Sequence, residues 1–138
     1  MRIVTVLLAL ACSAAAIADQ AQAPAGAAVY IVKPAAGTKL KSPVTVVFGL
    51  TAMGVAPAGV KFDNTGHHHL LIDTELPSDL TQPLPVSDNI RHFGKGQTEV
   101  RLDLPPGKHT LQLLFADFTH TPFMPNVASK KITITVTK

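Results

Sequence analysis

Short runs in which apolar and polar residues alternate, separated by proline and glycine, make up most of the chain after residue 28. In the clearest run, Val100, Leu102 and Leu104 alternate with charged residues, as expected of a strand with one buried face. Comparable runs predict strands at 29–32, 44–50, 67–73, 97–104, 108–118 and 131–138. No segment keeps a helical period over twelve residues. The pattern therefore predicts an all-β fold, an immunoglobulin-like antiparallel β-sandwich that spans residues 29–138.

Two stretches between these runs lack the alternation. Residues 53–64 are predicted to form a loop with a candidate short strand at 60–62. Residues 74–96 contain three prolines and are predicted to be mostly irregular, with a helical turn near Leu80. Loops of this length inside a compact domain are often functional, and this one carries several apolar residues. One interpretation of 74–96 is therefore a docking surface for a periplasmic protein partner.

The first eighteen residues have the pattern of an export signal. A short positive start is followed by an apolar run at 3–11 and by a small-x-small cleavage site that ends at Ala18. We expect a signal peptide at 1–18 that is cleaved after Ala18, a flexible tether at 19–28 and a periplasmic location. The apolar run is too short to span a bilayer, so no membrane span is expected in the mature chain.

The chain has one cysteine, Cys12, and it falls inside this predicted signal. Lipid attachment at Cys12 is the less favoured alternative, because lipoprotein signals place leucine three residues before the cysteine and Ala9 stands there. Cleavage after Ala18 would leave no thiol in the mature chain. Thiolate metal sites, disulfides and thiol catalysis would then be excluded.

Composition and charge narrow the class of protein further. The length of 138 residues corresponds to one domain, and 46% apolar residues argue against intrinsic disorder. The net charge is +3, but the basic residues are scattered, and their longest run is Lys130-Lys131. Nucleic acid is therefore not an expected partner. No serine lies in a nucleophile elbow and no His-Glu-x-x-His motif is present, so we predict no catalytic residue and favour a protein that is not an enzyme.

The histidines are the main candidate for chemistry. The chain has six of them, His67, His68, His69, His92, His109 and His120. On a strand, His67 and His69 share one face and His68 points to the other. Two imidazoles at this spacing can bind one ion, which makes the pair half of a zinc or copper site.

The remaining ligands must come from other segments. His120 and His92 are the predicted completing ligands, and Asp117 is a further oxygen donor close to His120. Met124 offers a thioether, which would favour Cu(I). The predicted metal set is therefore His67, His69, His120, His92 and Met124, with copper favoured as the ion and zinc next. Since imidazole binds metal only when neutral, affinity is expected to fall below about pH 6.

Structural explanations compete with this hypothesis. Strand histidines can be solvated or can bond to a backbone carbonyl, and the whole domain could be a non-catalytic structural or partner-binding module without metal. His109 follows a strand and a Pro-Pro-Gly corner, where immunoglobulin-like sandwiches often place a tyrosine that bonds to upstream backbone. A ring nitrogen of His109 could do the same, so a structural role is favoured for it over a ligand role.

The histidine segments resemble the bacterial exported family labelled domain of unknown function 4399. The resemblance is carried by residues 66–73, 92–99 and 106–113 together with Asp117 and His120, and its most specific part is Gly-His-His-His-Leu at 66–70. It implies a small exported domain and brings no activity with it. The segment 33–50 is more weakly similar to the opening of CopC-type periplasmic copper-binding sandwiches. Those proteins begin the mature chain with a ligand histidine, where this chain has Asp19.

Overall fold

The computed structural model describes residues 20–138, so the predicted signal peptide and its cleavage site lie outside the described residues. These residues form strands β1 to β9 and contain no helix. The strands are β1 Ala28–Lys33, β2 Lys39–Lys41, β3 Val44–Thr51, β4 Gly54–Val55, β5 Thr65–Ile72, β6 Ile90–His92, β7 Glu99–Leu102, β8 Gly107–Ala116 and β9 Ile132–Thr137. The predicted all-β class is confirmed. Within 20–138, no helix has the length and hydropathy needed to cross a membrane.

The strands form two sheets, as a β-sandwich requires. The smaller sheet has the order β1-β3-β7, and the larger has the order β2-β9-β8-β5-β4 with β6 paired to β5. All the long pairs are antiparallel, including the central pairs β5–β8 and β8–β9. Two short pairs, β2–β9 and β4–β5, are parallel, which the predicted antiparallel sandwich did not include. The strands predicted from alternation are all present, with ends that differ by at most two residues.

The main hydrophobic core lies between the two sheets, where alternate positions of facing strands point inward. The smaller sheet contributes Val44, Val46 and Phe48, and the larger contributes side chains from β5, β8 and β9. The inward residues of the larger sheet include Leu70, Ile72, Leu111, Leu113, Phe115, Ile134 and Val136. This alternation is the pattern from which the strands were predicted.

The long loop 74–89 covers the outer face of the larger sheet. Its apolar residues Leu76, Leu80 and Leu84 pack with Leu71 of β5 and Leu114 of β8 in a second hydrophobic cluster. The predicted helical turn near Leu80 is not found, and the loop there consists of bends. Because its leucines are used inside the domain, the loop supplies less apolar surface to a partner than its sequence suggests. Val86, at 68% exposed, is the loop's exposed large apolar side chain.

Two further segments, one before β1 and one after β4, also differ from the predictions. Residues 20–28, predicted to be a tether, are hydrogen-bonded to the domain: Gln20 Nε2 donates to the carbonyls of Leu80 and Pro122 at 2.8 and 2.7 Å. The candidate strand at 60–62 is absent, and a short strand forms at β4 instead. Phe62 in that loop is 72% exposed.

Candidate metal centre

Strand β5 presents its three histidines to two different environments. The rings of His67 and His69 lie on the outer face of the larger sheet, with their centroids 4.9 Å apart, and both side chains are fully buried. The ring of His68 lies on the opposite face, 5.0 Å from the rings of Phe48 and Phe115 in the main core. The predicted division of the three histidines between two faces is thus what the strand's pleat produces.

His92 reaches the same place from strand β6. In the β5–β6 register, His92 is paired directly with His69, and its ring centroid lies 5.2 Å from that of His69 and 4.9 Å from that of His67. The ring lies against the backbone of Gly94. A β-carbon added at Gly94 would be 2.2 Å from Cε1 and 2.5 Å from Nε2 of His92, so glycine is what leaves room for the imidazole.

His120 comes from the turn that follows β8. The Oδ1 atom of Asp117 accepts hydrogen bonds from the backbone nitrogens of Thr119 and Thr121, at 2.8 and 3.0 Å, and from the Thr119 hydroxyl at 2.7 Å. The backbone nitrogen of His120 donates to the Asp117 carbonyl at 3.0 Å, and its own carbonyl accepts from Leu84. His120 has a φ of 69°, in the left-handed region. Asp117 therefore organises the turn that directs His120 toward the other histidines.

Together, His67, His69, His92 and His120 form one group, which we call the histidine cluster. The ring of His120 lies 4.7 Å from His92, 5.0 Å from His67 and 6.1 Å from His69, measured between centroids. One ring nitrogen each from His67, His92 and His120 lies within 4.8 Å of the others, which is the spacing of a candidate metal site. His92 and His120 are partly exposed, so the cluster is reachable from solvent on their side.

The ring nitrogens of the cluster have few other partners. Both nitrogens of His67, both of His69 and Nε2 of His92 are buried without a hydrogen bond in the described structure. An unpaired buried polar group costs about 1–3 kcal/mol, so five such atoms in one place call for a ligand. A metal ion would take one nitrogen from each of these rings, which is three of the five unpaired atoms, and the residues present fit it.

Burial is the main effect that keeps the imidazoles of His67, His69 and His92 neutral. Burial, together with smaller contributions from positive charge on His92 and His120, lowers the pKa of His67 to about 4, while Asp117 opposes the shift. Burial likewise lowers the pKa of His69 to about 3, with its histidine neighbours acting in the same direction. The pKa of His92 is also lowered, by burial and then by His120. Because only neutral imidazole binds a metal, the lowered pKa values favour metal binding at neutral pH.

The other residues singled out from the sequence lie elsewhere. Met124 is 45% exposed and its backbone bonds to Ala21 and Ala23, and its thioether stays a predicted ligand. His109 is confirmed in its structural role: Nε2 lies 2.8 Å from the Pro105 carbonyl upstream, and Nδ1 lies 2.7 Å from Asp73 Oδ2.

Sequence reasoning missed two positioning roles near the cluster. Asp117 was considered as a ligand, whereas its Oδ1 atom is used by the turn around His120; the segment Asp-Phe-Thr-His-Thr at 117–121 is a readable turn signal. The role of Gly94 had no sequence signal, because nothing along the chain shows that the ring of His92 folds back over it.

The model of one family, Domain of unknown function (DUF4399), matches residues 46–137. The chain belongs to this family. The matched region contains all four residues of the histidine cluster, as the resemblance of the Gly-His-His-His-Leu segment had indicated. No curated protein and no solved structure matches the chain. The function must therefore be argued from the site itself.

Proposed function

We propose that this protein binds one transition-metal ion in the histidine cluster, with copper favoured and zinc next. The observation that carries the proposal is the convergence of His67, His92 and His120, from three separate segments, with ring nitrogens within 4.8 Å of one another. Packing alone gives no reason to bring four imidazoles together with most of their buried nitrogens unpartnered.

Simple coordination geometry agrees with this reading. A nitrogen about 2.0–2.1 Å from an ion places its ring centre roughly 3.2 Å from that ion, so four tetrahedral imidazoles have ring centres roughly 5.2 Å apart. The six centroid separations in the cluster range from 4.7 to 6.1 Å. The ring spacing therefore accommodates one ion among the four imidazoles, and nitrogens of His67, His92 and His120, which lie within 4.8 Å of one another, would close to about 3.4 Å to bind it.

The donor set favours some ions over others. Mg²⁺ and Ca²⁺ prefer oxygen ligands, whereas imidazole suits copper, zinc, nickel and iron. Among divalent ions a nitrogen site binds Cu²⁺ most tightly, which places copper first. Zn²⁺ is next because it has no redox chemistry and takes four ligands in a tetrahedron.

We propose that this activity takes place outside the cytoplasm, in the periplasm, on the basis of the export signal predicted at 1–18. Two ligands on the solvent side, His92 and His120, would let an ion exchange without unfolding of the domain. A role in storage, delivery or sensing of the ion fits such a site.

The test is calorimetric titration of untagged residues 19–138 with Cu²⁺ and with Zn²⁺, since a histidine tag would compete. We expect one ion per chain, bound with a dissociation constant well below micromolar. The double variant His67→Ala/His120→Ala should lose this affinity, and His109→Gln, which removes a histidine outside the cluster, should keep it. Absence of binding, or equal affinity in wild type and double variant, would refute the proposal.

A further inference from the structure

We propose that His69 determines which ions the cluster accepts: Zn²⁺ and Cu²⁺ require it, and Cu⁺ does not. This inference rests on the proposed metal site and concerns the different roles of its four histidines. It divides the four histidines into three that form the site for any ion and one that completes it for ions of higher coordination number.

The geometry separates His69 from the other three. The ring nitrogens of His67, His92 and His120 already lie within 4.8 Å of one another without it. The ring of His69 is 4.9 Å from that of His67 and 5.2 Å from that of His92, but 6.1 Å from that of His120. The ring of His69 is therefore farther from His120 than the rings of His67 and His92 are, and it lies beside the three-histidine group rather than within it.

The surroundings of His69 nevertheless point to a ligand. Its backbone lies between two neighbours in the larger sheet, paired with His92 of β6 on one side and Leu114 of β8 on the other. The side chain is fully buried, and neither ring nitrogen has a hydrogen-bond partner in the described structure. A buried imidazole in this state gains from an ion more than a solvated one does, because it has no competing interaction to give up.

The coordination preferences of the ions then assign different roles. Zn²⁺ in a site built of protein ligands alone takes four of them in a tetrahedron, and Cu²⁺ takes four in a tetragonal arrangement. Cu⁺ has a filled d shell and is commonly stable with two or three nitrogen ligands. The three-histidine group supplies the three nitrogens that Cu⁺ takes. The divalent ions take a fourth ligand, and His69, buried and unpartnered beside the group, supplies it in place of a water from the solvent side.

The inference is tested by comparing His69→Gln with His120→Gln, each of which removes one imidazole from the cluster. Zn²⁺ affinity is measured by competition with a chromophoric chelator, and Cu⁺ affinity by the same method without oxygen. Losing a residue that merely supports a metal ligand costs about 10–100-fold in affinity, so His69→Gln should weaken Zn²⁺ binding by at least about 100-fold. Its Cu⁺ affinity should change by less than about tenfold. His120→Gln should weaken the binding of both ions.

Co²⁺ gives an independent spectroscopic readout. Wild-type protein should show the intense visible bands of tetrahedral Co²⁺, and His69→Gln should lose them while His109→Gln keeps them. If His69→Gln does not fold, judged by its circular dichroism, His69→Leu is used, since leucine suits the apolar surroundings of Leu71 and Leu114.

The outcomes separate the two proposals. If wild-type protein binds neither ion, the metal site itself is wrong. If wild type binds both ions and His69→Gln weakens them equally, or weakens neither, the metal site stands and the assigned role of His69 is overturned.

Discussion

The metal-free protein should lose stability steeply on acidification from pH 7 to pH 5, because three adjacent buried histidines must stay neutral in the folded state. Burial lowers the pKa of His67 and of His68 to about 4, and that of His69 to about 3. For His68, the nearby backbone of Gln97 acts in the opposite direction and raises the pKa, although the two groups do not form a hydrogen bond. In the unfolded chain each imidazole has a pKa near about 6.5. Below that value the unfolded state binds protons that the folded state refuses, so the free energy of unfolding falls.

The size of the effect follows from these values. A folded-state pKa of about 4 against about 6.5 unfolded lowers the free energy of unfolding by about 2 kcal/mol between pH 7 and pH 5. Three such residues give about 6 kcal/mol if they act independently, which is comparable with the whole stability of a small domain. The loss should begin near pH 6.5 and level off below the folded-state pKa values.

His109 acts in the opposite direction and supplies a control. Although burial lowers its pKa, the carboxylate of Asp73 and the carbonyl of Pro105 together raise it above the ordinary value. A histidine with a raised pKa contributes stability that is fully present at low pH and is lost as pH rises through that pKa. His109→Gln should therefore make the acid loss steeper, whereas His68→Leu should remove about one third of it.

The assay is urea unfolding at pH 7, 6 and 5 with a chelator present, followed by circular dichroism because the chain has no tryptophan. Wild type, His68→Leu and His109→Gln are compared at each pH. A free energy of unfolding that stays constant from pH 7 to pH 5 would refute the reasoning, and so would an equal pH dependence in His68→Leu and wild type.

Three further predictions concern the metal site. Gly94→Ala should displace the ring of His92 and lower zinc affinity about 10–100-fold in calorimetry, with little change in the melting temperature of the metal-free protein. Asp117→Ala should remove the acceptor that shapes the turn and displace His120, again lowering zinc affinity about 10–100-fold; unchanged affinity would show that the turn holds without the carboxylate. Zinc binding at pH 7 should release less than one proton per ion, measured from the buffer dependence of the binding enthalpy, because the two β5 ligands have pKa values of about 4 and 3. Release of two or more protons would mean that these imidazoles are not buried as described.

Much of the sandwich could be predicted because strands with one buried face must alternate. The same period placed His67 and His69 together and His68 apart, which required no knowledge of the partner strands. The corner before β8 made the bond from His109 to Pro105 predictable as well, since the motif is local. Local patterns of this kind are readable because the residues that define them are neighbours in the chain.

Features that depend on distant segments could not be predicted in the same way. The leucines of 74–89 suggested an exposed surface, but without periodicity the sequence does not show that they fold onto the outer face of the larger sheet. Strands β4 and β6 have two and three residues, too few for an alternating pattern to be recognised. The distances from His92 and His120 to β5 are set by the β5–β6 register and by the turn after β8, and both form only in the folded chain.

The three histidines that cause the acid sensitivity lie in β5, and two of them are proposed metal ligands. Metal binding is therefore linked to stability. An ion that binds only the folded state at 1,000 times its dissociation constant adds about 4 kcal/mol to the free energy of unfolding. That gain offsets about two thirds of the loss of about 6 kcal/mol expected at pH 5. The ion acts on His67 and His69, whose nitrogens it occupies, but His68 faces the main core beside Phe48 and Phe115 and stays outside its reach. Protein saturated with metal should therefore be more stable at each pH, but its free energy of unfolding should still fall on acidification, because the unfolded chain binds protons that the metal-bound imidazoles do not. Metal-saturated His68→Leu should lose only the share of that sensitivity that belongs to His68, because His67 and His69 stay neutral in the folded, metal-bound state and take up protons on unfolding.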